Sequence, residues 1–415
     1  MISNNQNKIC VAILFALPRT NQNFRRLGIA ELSAHFDVKL YDLTSMLGRG
    51  EISINGSLFD CVQFINSFDS LVINLTNDKP SYILNTIGLD FLTEDILIAI
   101  INCGSTHISM ISGVFPKFTM ISRARWHFHK FLMATKSRKV VIESSSITNN
   151  KNIKKTFLLS SIIRRLMRNY QKIDKAAKDT QGVLLLAGHR NFHNYTQKYK
   201  KILSVASNDF YLFQEARKKY SVNKPNFDSA RFILFVDDNL PNASDWQVLN
   251  MRSPVNEKNY YTSLTYFFSQ VETYFNLPIK IAAHPSSIND SEISKKFGNR
   301  PVIHEQTASL TIESTLILAH ASTAISFSVL AKKPIFFLTS DELENSFYGM
   351  YIRSCASYLG SKLISIDKPL NRKFHLEKLE VNGRKYAKYE QDFIRSFYCQ
   401  ENYPWEALIN YIKTN

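Results

Sequence analysis

Short apolar runs recur along the chain, and most of them end at a small cluster of polar residues. A short apolar run between turn-forming residues is typical of a strand buried in a parallel sheet. Alternation of such runs with helical segments predicts an α/β fold with doubly wound sheets. The predicted strands are Ile9 to Leu17, Val38 to Tyr41, Ser70 to Leu75, Val183 to Ala187, Ile202 to Ala206, Phe232 to Val236, Ile279 to Ala283, Leu316 to Ala319, Ile335 to Leu338 and Leu363 to Ile366.

Other segments have a helical period or a weaker strand pattern. Arg19 to Arg26 is polar and basic and is expected to be a loop. Helices are predicted over Leu27 to Phe36, Cys61 to Phe68, Tyr260 to Phe275, Ala324 to Ala331 and parts of Tyr386 to Ile412. Weaker strand candidates are Ile96 to Asn102, His107 to Ile111 and Val140 to Ile142.

A polar segment around Ser221 to Asp228 divides the chain into two Rossmann-like units. The whole chain has 415 residues, which is enough for two or three domains. We expect residues 1–225 to form one unit and residues 226–370 the second. Residues 371–415 are expected to form C-terminal helices that pack back across both.

Two polar clusters follow predicted strands of the second unit. In open α/β sheets, ligands bind at the carboxyl ends of the strands and at helix N-termini. Hydroxyl and imidazole donors, with no carboxylate in the turns themselves, are suited to a phosphate group. The candidate binding residues are His284, Pro285, Ser286, His320, Ser322 and Thr323.

Three further residues are weaker candidates or have two interpretations. Asp237 follows the strand Phe232 to Val236, so it is either a turn residue or a catalytic carboxylate. Glu143 follows a weak strand and is either an acid or base in the cleft or a capping residue. Lys333 can reach a phosphate, although a lysine at the end of a helix is expected from the helix dipole alone.

Composition and charge narrow the classes of function. The formal net charge of +16 favours anionic partners, although solubility alone can explain it. The five cysteines are scattered, and the chain has no metal-ligand spacing, no GxGxxG and no Walker motif. No apolar segment is long enough to span a membrane. Lys151 to Lys178 is strongly basic, with apolar residues at helical spacing, and is either a solvated helix or a face that rests on anionic lipid.

Three motifs of the second half resemble a known family. They are FVDDNLP (Phe235 to Pro241), IAAHPSS (Ile281 to Ser287) and HASTAISFSVLAKKP (His320 to Pro334). These stretches are similar to bacterial Kdo transferases of O-antigen and capsule assembly, and more distantly to polysialyltransferase-like enzymes. YYTSLTYFF (Tyr260 to Phe268), FGNRPVI (Phe297 to Ile303) and the segment Phe24 to Thr44 also look like that family. The family often has His-Pro-Asp after the leucine-proline turn, where this chain has Asn242-Ala243-Ser244-Asp245.

The resemblance implies a fold, a reaction and a set of roles. The fold would be GT-B, two Rossmann-like domains that face a cleft, with the acceptor on the first and the CMP-sugar on the second. The reaction would transfer Kdo from CMP-Kdo to a surface-polysaccharide acceptor, with no metal or other cofactor. His284 would donate to the phosphate or act as the acid. Asp237 would be the nucleophile of a retaining enzyme or the base of an inverting one.

Several alternatives remain at this point. One is transfer of sialic or another nonulosonic acid, and another is a nucleotide-sugar epimerase of GT-B shape. A third, from a different class, is a basic protein that binds nucleic acid or a membrane without catalysis, although the basic residues are not interleaved with aromatics, so nucleic acid is not the expected partner. The expected location is the cytoplasm, with peripheral attachment to the inner face of the inner membrane.

Overall fold

The structure is a computed structural model of the chain. It describes residues 8–16, 21–47, 62–87, 94–112, 116, 182–190, 199–222, 231–243, 246, 252–370, 379–397, 399 and 403–415. Glu143, the strand candidate Val140 to Ile142 and the basic stretch Lys151 to Lys178 lie outside these ranges.

The first half of the chain forms a sheet of seven parallel strands. Their order is β3-β2-β1-β4-β5-β6-β7. The strands are β1 (Cys10–Phe15), β2 (Asp37–Asp42), β3 (Val62–Phe64), β4 (Tyr82–Asn85), β5 (Thr106–Ile111), β6 (Val183–Ala187) and β7 (Lys201–Val205). The helices are α1 (Asn21–Arg26), α2 (Ile29–Ser33), α3 (Phe68–Asp78), α4 (Glu94–Asn102) and α5 (Asn208–Val222).

The second half forms a sheet of six parallel strands in the order β10-β9-β8-β11-β12-β13. The strands are β8 (Ile233–Val236), β9 (Ile279–Ala282), β10 (Val302–Ile303), β11 (Leu316–Ala319), β12 (Ile335–Thr339) and β13 (Lys362–Ser365). The helices are α6 (Glu257–Phe275), α7 (Ile293–Lys296), α8 (Thr307–Glu313), α9 (Ile325–Leu330), α10 (Asp341–Glu344) and α11 (Phe347–Leu359).

Both sheets reverse their strand order at one point. In the first sheet β1 lies between β2 and β4, and in the second β8 lies between β9 and β11. Connections leave in opposite directions at such a point and open a crevice at the carboxyl ends of the strands. The crevice of the second sheet therefore lies where β8 and β11 end.

Local sequence explains why α6 forms and how it packs. The side chain of Asn256 caps its start by accepting a hydrogen bond from the Asn259 N–H at 3.1 Å. Tyr260, Leu264 and Phe268 are spaced by four residues and are buried against the second sheet. The apolar face therefore fixes the helix beside β8 and β9.

The C-terminal helices belong to two different cores. Helix α12 (Gly383–Tyr389) runs into a π-helical turn at Glu390–Ile394, and Tyr389 and Phe393 pack in the core of the second sheet. Helix α13 (Pro404–Thr414) packs Trp405 and Leu408 against the first sheet.

Two predicted elements of the first half are wrong in type. Ser70 to Leu75 belongs to helix α3, because Ser67 caps the helix by accepting from the Ser70 N–H and because Leu71 and Leu75, four residues apart, are its buried positions. Cys61 to Phe68 was predicted as a helix, but Val62–Phe64 pairs with β2 as an edge strand. An apolar run of this length fits either structure, and the tertiary pairing decides.

Two more segments of the first half are helical against expectation. Ile96 to Asn102 is part of α4, with Ile96, Ala99 and Ile100 buried at helical spacing. The expected basic loop Arg19 to Arg26 contains helix α1. The predicted strand at His107 to Ile111 and the five strands predicted in the second sheet are confirmed within one residue at each end. The short edge strand β10 was not predicted.

Candidate active site

Asp237 holds together the ends of two neighbouring strands. Its side chain is only 2% exposed. One carboxylate oxygen accepts from the Asn239 N–H at 2.9 Å, and the other accepts from the His284 N–H at 3.4 Å. Burial raises the pKa of Asp237 to about 6, although the main-chain donors of Asn239, His284 and Asp238 oppose the rise. Asp237 therefore fixes the turn after β8 against the turn after β9.

Asp238 spans the point where the strand order reverses. Its Oδ2 accepts from the Ala321 N–H at 3.2 Å and from the Tyr348 hydroxyl at 3.0 Å. Its carboxylate is also hydrogen-bonded to the side chain of Ser322. Burial, and next the charge of Asp237, raise the pKa of Asp238 to about 7. Unlike Asp237, Asp238 is partly exposed to solvent.

The hydrogen bonds of His284 fix which ring nitrogen carries its proton. His284 caps the 3₁₀ turn Pro285–Ser287, and its Nδ1 accepts from the Ser286 N–H at 3.2 Å. The Ser286 hydroxyl oxygen accepts from Asn239 Nδ2 at 2.8 Å, so its hydrogen is free to donate to His284 Nδ1 at 2.7 Å. Since Nδ1 is an acceptor in both contacts, the proton of the neutral ring lies on Nε2.

The charge state of His284 follows from its surroundings. Burial, and next the positive charge of Arg26, lower the pKa of His284 to about 4. The ring is therefore neutral at pH 7 and offers an Nε2–H donor. Pro285 occupies the first position of the 3₁₀ turn, where its missing N–H leaves no ladder bond unmade.

His320 is placed differently from His284. It has no exposed surface, and its Nδ1–H donates to the Leu338 carbonyl at 2.8 Å. Its Nε2 accepts from the Tyr260 hydroxyl at 3.0 Å. Burial lowers the pKa of His320 to about 4. Both ring nitrogens are thus used to join β11 to β12 and α6, which leaves no donor for a ligand.

Ser322 and Thr323 lie at the same edge of the sheet, but not as a helix cap. Helix α9 has Ala324 as its N-cap, without a side-chain capping bond. The Ser322 hydroxyl oxygen accepts from the Ala324 N–H at 3.3 Å and also contacts Asp238. Both residues are partly exposed, so their hydroxyls border the crevice.

Lys333 is not brought to this edge. It precedes β12, whose Ile335 pairs with Ile317 near the start of β11, so it lies at the amino ends of the strands. Burial lowers its pKa. Glu143, the third catalytic candidate, lies outside the described residues.

The structure adds residues that the sequence patterns did not single out for the site. Asp238 was visible only as the neighbour of Asp237, and its place opposite Ala321 depends on the strand order. Asn239 adopts a left-handed conformation with φ of 46°, which directs its side chain to Ser286. Tyr348 comes from α11, more than 100 residues away in the chain, and no local signal marks it.

The described residues lack both a metal-binding cluster and a membrane-spanning helix. Within the described ranges, no group of three or more His, Cys, Asp or Glu side chains is placed to hold a metal ion. In the same part of the chain, no helix combines the length and the hydropathy that crossing a bilayer requires.

Comparisons with known proteins give the fold but no close relative. No model of a known protein family matches the chain, and no curated protein does. The crystal structure of the glycotransferase of kitacinnamycin matches 98% of this chain and 99% of its own, at 10% identity and a TM-score of 0.50.

Two further solved structures align over similar lengths with lower scores. UDP-GlcNAc 2-epimerase from Methanocaldococcus jannaschii matches 98% of this chain and 100% of its own, at 11% identity and a TM-score of 0.47. The alignment with MurG of Acinetobacter baumannii covers 98% of this chain and 100% of the MurG chain, at 9% identity and a TM-score of 0.42. The kitacinnamycin match and the two parallel sheets confirm the predicted fold class, GT-B, with helices at the C-terminus.

Proposed function

We propose that this protein is a glycosyltransferase that transfers Kdo from CMP-Kdo to a surface-polysaccharide acceptor. The observation that carries the proposal is that Asp237, Asp238 and His284 are linked at the switch point of the second sheet. The second half would bind the donor and the first half the acceptor, as the GT-B arrangement implies. The choice of CMP-Kdo comes from the motif resemblance.

His284 has the properties needed to bind the phosphate of the leaving group. Departure of CMP places negative charge on that phosphate, and fixed donors aimed at it lower the barrier. The Nε2–H of His284 is such a donor, since Ser286 holds Nδ1 as an acceptor. The Ser322 and Thr323 hydroxyls at the same edge would add donors from the other side of the reversal point.

The carboxylate pair would supply the nucleophile or base. In a retaining reaction, a carboxylate oxygen forms a bond to the anomeric carbon while the bond from that carbon to the phosphate oxygen breaks. The acceptor hydroxyl then attacks the anomeric carbon, the bond from that carbon to the carboxylate breaks, and the neighbouring carboxylate of Asp238 takes the hydroxyl proton. In an inverting reaction, the carboxylate takes the proton of the acceptor hydroxyl directly. Retention through Asp237 is our assignment, and the greater exposure of Asp238 makes it the second candidate.

The basic stretch would attach the protein to its acceptor's membrane. Lys151 to Lys178 combines apolar residues at helical spacing with lysine and arginine, a pattern suited to an anionic lipid surface. We propose peripheral attachment at the cytoplasmic face, next to a lipid-linked acceptor. Co-sedimentation with phosphatidylglycerol vesicles, compared with phosphatidylcholine vesicles, tests it. Equal sedimentation with both would contradict electrostatic attachment.

The decisive experiment is a donor screen. Thermal shift with CMP, UMP, GMP and the corresponding diphosphates should show the largest stabilisation with CMP. CMP release should then be measured with CMP-Kdo, CMP-sialic acid and a UDP-sugar. Larger shifts with UDP or GDP would overturn the donor class, and faster turnover of CMP-sialic acid would replace Kdo by that sugar.

A further inference from the structure

The donor site described above is short of positive charge. His284 is neutral, Asp237 is mostly ionised at pH 7, and Asp238, whose pKa is raised to about 7, is ionised in part. A phosphate next to a carboxylate pair is repelled unless a cation lies close to it. Within the described part of the chain, the charged group that acts on His284 is Arg26, which belongs to the first half.

A chain of hydrogen bonds places Arg26 near the start of α9. The main-chain carbonyl of Arg26 accepts from Asn208 Nδ2 at 2.9 Å. The next residue, Asp209, is 8% exposed, and its carboxylate is hydrogen-bonded to Ser326 in the first turn of α9. Ser326 lies one helical turn after Ser322, so the contacts lead from α1 to the donor edge of the second sheet.

The charge of Arg26 also acts on His284 and on Asp209. Its charge lowers the pKa of His284 and opposes the rise that burial causes in the pKa of Asp209. The Arg26 side chain is partly exposed to solvent. Arg25, the preceding residue, is exposed, and its charge is not among the causes of the pKa shifts of His284 and Asp209.

We propose that Arg26 is an anion-binding residue that the first half contributes to the donor site. The inference rests on the proposed function and deepens it. An arginine fork pairs well with either of the two anionic groups of a CMP-activated acid sugar, the phosphate and the sugar carboxylate. The site would thus be complete only when both halves of the chain contribute.

Calorimetric titration of cytidine, CMP and CMP-Kdo tests this role. We expect Arg26→Ala to weaken CMP binding about tenfold or more, which is the effect of losing a charge-assisted hydrogen bond. Arg25→Ala removes the same charge from the neighbouring position and should change affinity less than about twofold. Arg26→Lys should restore part of the loss. Binding of cytidine, which has no anionic group, should be equal in all variants.

The ligand series distinguishes the two anionic groups. Loss of CMP affinity in Arg26→Ala assigns Arg26 to the phosphate, and loss confined to CMP-Kdo assigns it to the sugar carboxylate. Unchanged affinity for both ligands, or equal losses in Arg25→Ala and Arg26→Ala, would overturn the role of Arg26. If the wild-type protein binds no CMP, the proposed donor itself is wrong.

A readout without ligand tests the placement of Arg26. Because its charge lowers the pKa of His284, Arg26→Ala should raise that pKa in an NMR titration of the free protein. Arg25→Ala should leave it unchanged. A His284 titration that is identical in Arg26→Ala and wild type would place Arg26 away from the site.

Discussion

The carboxylate of Asp238 accepts a hydrogen bond from the main-chain N–H of Ala321, 3.2 Å away, although the two residues are 83 positions apart in the chain. This contact joins the end of β8 to the end of β11 across the crevice where the strand order reverses. A carboxylate is therefore built into the point where a ligand of a doubly wound sheet is expected. Holding an ionised carboxylate at this buried position lowers the stability of the fold, and that loss can be measured.

Replacing Asp238 by asparagine should stabilise the protein at alkaline pH. Because the pKa of Asp238 is raised from 3.8 to about 7, the folded state holds its proton more tightly than the unfolded state does. Its contribution to stability is complete below pH 3.8 and is lost as the pH rises to about 7. Asp238→Asn removes this ionisation, so we expect a gain of about 2 °C or more in Tm at pH 8 that shrinks towards pH 5.

Asp290→Asn provides a control of opposite sign. The hydrogen bond to Lys296 lowers the pKa of Asp290, so its ionised form favours folding. Its asparagine variant should lose stability at pH 8. If Asp238→Asn lowers Tm at pH 8 as Asp290→Asn does, the ionised form of Asp238 stabilises the folded protein, and the prediction is wrong.

The second sheet could be predicted from sequence more fully than the first. Three of its strands, β8, β9 and β11, are short buried apolar runs followed within two residues by an aspartate or a histidine, as Ile279–Ala282 is by His284. In the first half, Ser70 to Leu75 and Val62–Phe64 have similar hydropathy, and their type depends on capping and on pairing with β2. Periodicity over so few residues cannot decide between them.

The site itself was predictable only in part, for a similar reason. His284 and Asp237 follow strands and were found from that position alone. Tyr348 comes from a helix far away in the chain, and nothing near it in sequence marks a site. Arg26 lies in the segment Phe24 to Thr44, which resembles the family but does not single out this residue. The buried position of His320 was also beyond local pattern, because both of its partners, Tyr260 and Leu338, come from other elements.

His284→Ala should slow CMP release from CMP-Kdo by about 10²–10³, the usual effect of removing a preorganised donor to a developing anion. Ser286→Ala should cost less, about tenfold, because the main-chain N–H of Ser286 still donates to Nδ1 and a donor contributes about 1.4 kcal/mol. His35→Ala, at an exposed position, is the control. Full activity in His284→Ala would remove His284 from the mechanism.

CMP binding should not depend on divalent cations. We expect the protein's own donors and the charge of Arg26 to neutralise a monophosphate, so the dissociation constant in EDTA should equal that in Mg²⁺. The comparison can be made by calorimetry after extensive dialysis. A requirement for Mg²⁺ that EDTA abolishes would show that a metal supplies the missing charge.

Gly188→Ala should weaken the packing of the π-helical turn Glu390–Ile394 against the end of β6 in the first sheet. Gly188 has a φ of 77°, and an added Cβ would lie 2.3 Å from the Asp392 carbonyl oxygen and 2.7 Å from the Phe393 nitrogen. Gly104 has a similar φ of 73° with nothing within 4 Å, so Gly104→Ala isolates the conformational cost of about 1–2 kcal/mol. Urea unfolding should show a larger loss for Gly188→Ala. Equal losses of unfolding free energy in the two variants would mean that the turn Glu390–Ile394 shifts to accept the added Cβ without loss of stability.

Helix α13 gives the chain a particular order of completion. The first sheet ends at Val205, yet Trp405 from α13 is fully buried in the same core as Phe15 and Leu27. On the ribosome, one face of that first core therefore stays uncovered until nearly the whole second half has been synthesised. A nascent chain of this protein exposes apolar surface during the synthesis of its second half, which makes it a natural client for chaperones that bind such surfaces.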